Sequence, residues 1–114
     1  YYIIDLCAAR FSQLYGHDNL IYLAHPAIIA ICRYDAEHDS NLRDVLFYYL
    51  LSHCSLNKTA QRLYMHRNTV LNKLNKITEI TQLSLEDGYL QVYLIFSCLI
   101  VRYYEQYLGG KMQF

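Results

Sequence analysis

Residues 56–76 read LNKTAQRLYMHRNTVLNKLNK, and this stretch decides the fold. It holds two short helical patterns joined by a tight connection. Asn57 is a favourable N-cap residue type for a first helix over 58–64. In that helix Leu63 faces a core, and the small Ala60 lets a neighbouring helix come close. Tyr64-Met65-His66 forms the turn. A second helix over 67–80 buries Val70, Leu74, Ile77 and Ile80, the spacing of one helical face. Its other face carries Arg67, Asn68, Thr69, Asn72, Lys73, Asn75 and Lys76. The stretch contains Lys58, Arg62, Arg67, Lys73 and Lys76 and no Asp or Glu. Half of the 10 Lys and Arg residues of a chain with net charge +0 are therefore gathered here. A solvated helix face usually mixes both signs of charge. A local cationic block on a helix-turn-helix pattern is the electrostatic footprint of a duplex-DNA reader.

Outward from this stretch the whole chain reads as helix. The expected fold is all-α, a helical bundle containing a helix-turn-helix, with a long apolar C-terminal helix. Toward the N-terminus, Pro26 suits the first turn of a helix that carries Ile28, Ile31, Cys32 and Asp35 and ends near His38. Asn41, with Asp44 three residues on, suggests a capping box opening a helix with Leu42, Val45, Leu46, Tyr49 and Leu50 on its inner face. Further back, 2–15 spaces Ile3, Ile4, Cys7, Ala8, Phe11 and Leu14 as one helical face, and Gly16-His-Asp-Asn19 breaks it. Toward the C-terminus, 81–87 is polar and turn-like. A final helix over 87–108 is apolar nearly all round, and Gly109-Gly110 closes it. Such a helix is either the central core element or an interface covered by a second copy or another domain.

Composition sets the remaining limits. With 114 residues the chain is long enough for one domain with a real core. It starts on Tyr1 in mid-pattern and reads as a piece of a longer protein. No signal peptide is visible, and the longest apolar run, 92–100, falls well short of the ~20 residues of a membrane span. Cys7, Cys32, Cys54 and Cys98 lack the pairing of a zinc site and read as free core thiols in a reducing cytoplasm. Neither a nucleophile–base pair, a carboxylate pair on one face nor a Gly-rich phosphate loop is present, so no catalytic residue, metal ligand or cofactor is assigned. His66 reads as a cap or packing residue.

The expected partner is double-stranded DNA. In helix-turn-helix folds the second helix lies in the major groove with its N-terminal residues at base edges. Arg67, Asn68, Asn72 and Lys73 are the candidate base readers. Lys58, Arg62, Thr69 and Lys76 are the candidate phosphate contacts. A homodimer on two half-sites would supply specificity that a single motif lacks, with 87–108 as the pairing helix. The rival reading is a helical protein-interaction or dimerisation module that uses the basic helix, docking an acidic protein, or the apolar C-terminal helix.

The string at 63–77, LYMHRNTVLNKLNKI, resembles the C-terminal helix-turn-helix domain of the PucR/CdaR family of bacterial transcriptional regulators. Leu63, His66-Arg67-Asn68-Thr69-Val70, Leu74 and Ile77 carry the likeness. His25-Pro26, Tyr34-Asp35 and His38 are similar to the family's upstream H-P…Y-D…H stretch. The resemblance covers 23–103. It implies a DNA-binding domain over 23–108, preceded by the tail of a regulatory region at 1–22 and followed by a short tail at 109–114. It also implies a larger protein that senses a small-molecule effector through an upstream domain. Two departures stand out. The arginine-rich Y-R-L-x-R-I of the family is Asn72-Lys73-Leu74-Asn75-Lys76-Ile77 here, which points to different bases or fewer phosphate contacts. Its Gly-x-Asp-Leu is Gln82-Leu-Ser-Leu85, which bears on how the last helix is attached.

Overall fold

His25 and Pro26 start a helix together. Pro26 brings a preset φ and no N–H to leave unpaired, and the His25 imidazole caps the next donor, its Nδ1 accepting the Ala27 N–H at 2.9 Å. The computed structural model describes residues 9, 10, 13 and 21–107. Among the described residues from 21 on, five helices follow in order: α1 (Pro26–His38), α2 (Leu42–Leu51), α3 (Leu56–Leu63), α4 (Arg67–Thr81) and α5 (Gly88–Tyr107). Among the described residues there is no strand, so the fold is all-α with α3 and α4 as the helix-turn-helix. Of the helix expected over 2–15, residues 9, 10 and 13 are helical, and the rest lies outside the described residues, as do Cys7, Leu108 and Gly109-Gly110.

Two expected caps are corrected. Asn41 makes no side-chain cap bond to α2. Asp35, one helix upstream, does that work. Its carboxylate accepts the Leu42 N–H at 2.9 Å, the Arg43 N–H at 3.0 Å and the Ser40 hydroxyl at 2.6 Å. A carboxylate offers several lone pairs and a full charge to the positive helix end, so it outcompetes an amide there. Asn57 is likewise not the cap of α3. Ser55 is, its hydroxyl accepting the Lys58 N–H at 3.2 Å, and the helix begins at Leu56. The turn at 52–54 sends His53 and Cys54 to φ 56° and 60°, which re-aims the chain so that Ser55 reaches the cap position.

The core lies between α1, α2, α4 and α5. Ile28, Ile31, Val45, Leu46, Val70, Ile77, Leu94 and Val101 are fully or almost fully buried within it. Each such side chain contributes roughly 1.5–3 kcal/mol by leaving water. α2 packs against all four other helices and is the central element. α5 is therefore not the axis of the bundle. It buries Leu94, Cys98, Leu99, Ile100 and Val101, and leaves Tyr89, Val92 and Tyr93 exposed at 92%, 67% and 42%. Two polar contacts fix its position. Arg43 on α2 forms a two-pronged pair with Glu105 at 2.8 and 3.2 Å. Ser97, wholly buried, accepts the His25 N–H at 2.8 Å and donates to the Tyr93 carbonyl at 2.7 Å.

The link from α4 to α5 shows what the altered Gly-x-Asp-Leu segment does. Gln82 takes the left-handed position after α4 (φ 55°, ψ 27°), where glycine is at ease. Leu83 and Leu85 pack on the core, and the Leu85 carbonyl accepts the Gln91 side-chain N–H at 2.6 Å. Among the described residues no helix is long and apolar enough to cross a membrane.

Candidate nucleic-acid interface

The interface is built on two caps and a buried seam. In α3, Thr59 is fully buried and its hydroxyl donates to the Ser55 carbonyl at 2.7 Å. Ala60 is also buried, and its carbonyl accepts the Met65 N–H at 2.9 Å, folding the turn back on α3. Tyr64 occupies the left-handed turn position at φ 56° with its ring 98% exposed. His66 then caps α4, its Nδ1 accepting the Asn68 N–H at 3.1 Å. The acceptor role at Nδ1 leaves the proton of the neutral ring on Nε2. With Val70, Leu74 and Ile77 buried, the rotation of α4 about its axis is settled, and with it the face turned to solvent.

That face holds most of the residues marked from sequence. Arg67, Asn68 and Thr69 are exposed in the first turn of α4, and Asn72 is exposed one turn on. Lys58 and Arg62 are exposed on α3, and the Arg62 guanidinium lies 5.4 Å from the Tyr48 ring centre. Lys73 and Lys76 are placed differently. Both are half-buried on the flank of α4 that faces the α1–α2 corner. The Lys73 ammonium donates to Asn41 Oδ1 at 2.9 Å. That of Lys76 lies 5.4 Å from the Tyr34 ring centre and 3.4 Å from Glu79 Oε1. Tyr34 in turn stacks on His38, with ring centres 4.0 Å apart. The Tyr34-Asp35…His38 stretch thus backs the flank of α4: Asp35 caps α2, and Tyr34 carries Lys76.

Sequence reading gave no role to Asn75, which is exposed in line with Asn68 and Asn72. Its i+7 spacing from Asn68 was the available signal. Nor did it single out Leu71, 36% exposed on the same helix. The role of Asn41 as the partner of Lys73 had no local signal, because the two are 32 residues apart. Among the described residues no group of His, Cys, Asp and Glu is arranged to hold a metal ion.

Comparison with known proteins agrees with this architecture. The family model for the PucR C-terminal helix-turn-helix domain matches residues 42–100, from the start of α2 into α5. The Purine catabolism regulatory protein of Bacillus subtilis (strain 168) is 45% identical over 51 residues, which are 45% of this chain and 10% of that protein. The Proline-responsive transcriptional activator PutR of the same organism is 36% identical over 53 residues, 46% of this chain and 13% of that protein. An uncharacterized protein of Haemophilus influenzae is 44% identical over 48 residues, 42% of this chain and 13% of its own length. The chain thus matches only about a tenth of the length of these relatives. No solved structure matches it. The named relatives are a regulatory protein and a transcriptional activator, and the segment matched by the family model contains the whole helix-turn-helix. On its fold and on this match, the chain belongs to the family of PucR C-terminal helix-turn-helix domains, which implies DNA binding.

Proposed function

We propose that the domain binds duplex DNA sequence-specifically, with α4 in the major groove and α3 across the backbone beside it. One observation carries this reading. Arg67, Asn68 and Thr69 stand exposed together at the capped N-terminus of α4, Lys58 and Arg62 are exposed on α3, which packs against it, and no carboxylate occurs in the motif before Glu79. Arg67, Asn68, Asn72 and Lys73 are the base readers in this proposal, and Lys58, Arg62, Thr69 and Lys76 the phosphate contacts. Lys73 must exchange its bond to Asn41 for one to DNA, so its contribution is the smaller. Each good two-point base contact supplies ~1–3 kcal/mol of discrimination.

Few contacts per motif favour a homodimer on half-sites about 34 Å apart. The exposed Tyr89, Val92 and Tyr93 on α5 support pairing through that helix. The domain, over 23–108, serves a longer bacterial regulator that works in the cytoplasm and takes its small-molecule signal through a region upstream.

Fluorescence anisotropy tests the DNA reading. The chain is titrated with its own promoter duplex and with a scrambled one over a salt series, beside an Arg67→Ala/Lys73→Ala variant. Promoter preference that disappears in the variant is the expected result. Equal weak binding to both duplexes would reduce the site to a basic surface. No binding at low salt would hand the basic helix to an acidic protein partner instead.

A further inference from the structure

Asn68, Asn72 and Asn75 lie at i, i+4 and i+7 on α4, and all three are exposed. At 100° per residue they fall on the side opposite Val70, Leu74 and Ile77, which form the buried side. Asn68 is engaged only through its backbone N–H, and none of the three side-chain amides has a partner among the described residues. The two lysines of the same helix are restrained, Lys73 by Asn41 and Lys76 by Tyr34 and Glu79. Beyond Arg67 in its first turn, what α4 holds foremost is therefore a ridge of carboxamides. Leu71 stands beside that ridge, three residues after Asn68 and four before Asn75.

A carboxamide presents a donor and an acceptor side by side. In the major groove adenine offers the matching pair, an N7 acceptor and an N6 donor. Guanine offers two acceptors, N7 and O6, which a carboxamide satisfies by half. Leu71 supplies what the other base of such a pair displays, an apolar surface for the thymine methyl. Length fits as well. Seven residues of helix rise about 10.5 Å, close to three base-pair steps of about 3.4 Å. We infer that this domain reads an A·T-rich half-site, in which Asn68, Asn72 and Asn75 take adenines spread over about three base pairs and Leu71 packs on a thymine methyl. The inference rests on the DNA-binding reading above and names the class of sequence bound.

The experiment selects duplexes from a randomised library with the full chain. Anisotropy then follows the selected duplex with each A·T pair changed in turn to G·C. The chain is compared with Asn72→Ala, Asn75→Ala and the double variant, all at exposed positions, with circular dichroism to verify the fold. The expected core is A·T, and each exchange weakens binding by roughly 5- to 100-fold. At the pairs read by Asn72 and Asn75, the same exchanges cost the double variant no more than about twofold, while its salt slope and scrambled-DNA affinity stay unchanged, because an amide neutralises no phosphate. A selected core of G·C pairs, or an undiminished A·T preference in the double variant, overturns the inference and leaves DNA binding standing. Failure of any duplex to bind at low salt overturns both.

Discussion

Asp35 shows how much rests on single side chains. Three hydrogen bonds converge on its carboxylate, two of them from the first turn of the central helix. Asp35→Ala should destabilise the domain by about 1–2 kcal/mol, read as a lower urea midpoint with an unchanged slope. Gln82 works in the other direction. A non-glycine residue in the left-handed region costs roughly 1–2 kcal/mol, and glycine recovers that less its own unfolded-state entropy. Gln82→Gly should therefore stabilise by about 0.5–1 kcal/mol in the same assay; a loss would show that its side chain contributes more than its backbone costs. The buried thiols set the behaviour in alkali. Burial, with smaller contributions from neighbouring Cys32 and Asp44, pushes the Cys98 thiol up to about 12 from 9.0, against an opposing pull from Arg43. Burial also raises that of Cys32. The fold favours the neutral thiol, so this stability is fully present below the unfolded value near 9 and is lost as pH rises toward 12. One unit above the unfolded value the Cys98 thiol should cost about 1.4 kcal/mol. Urea midpoints at pH 7.5 and 10 check this, and Cys98→Ala should flatten the difference.

Helices were more legible than their ends. Val70, Leu74 and Ile77 could be placed on the inner face of α4 from spacing alone, because helical periodicity is a local property of the chain. Ala60 was legible for the same reason, as a small residue where α3 must approach its neighbours. The caps were not. Asp35 caps α2 across a tight corner, and the local candidate Asn41 is drawn off by Lys73 from 32 residues away. No window of sequence contains both partners. The depth of α5 escaped for a related reason: its apolar residues look alike in sequence, and only packing decides that Val101 is buried while Val92 is not. The seam at Ala60 gives a prediction at this scale. Ala60→Leu overfills it and should cost about 1–3 kcal/mol, with DNA affinity falling further than stability alone accounts for, because α3 and α4 are pushed apart. Urea unfolding beside anisotropy separates the two effects; equal losses would place Ala60 in the core only.

For the molecule as a whole, the division of labour between its faces is the main point. The helix-turn-helix exposes Lys58 and Arg62 on α3 and Arg67 on α4, while α5 exposes tyrosines and a valine away from the core. With net charge +0, overall charge would not draw the domain to DNA; the local field of this face has to. Binding should therefore weaken steeply with salt, in proportion to the phosphates neutralised. Val92→Asp should leave the monomer folded and its single-site affinity intact, yet lower the mass seen in sedimentation and remove cooperativity on a two-half-site duplex. An unchanged mass in wild type and variant would take α5 out of the pairing role.

The hydroxyl of Ser97 has a mechanical consequence. The N–H it accepts belongs to His25, the last residue before α1, and its own proton is held one turn back within α5. The strand of chain arriving at the domain is thereby pinned to the middle of the last helix, not to the helix-turn-helix. A pull or twist on the incoming segment is delivered to α5 through this bond, and to α4 through α1, which packs directly on it. The doorway of the domain is therefore tied at once to the helix proposed for pairing and to the helix proposed for the groove.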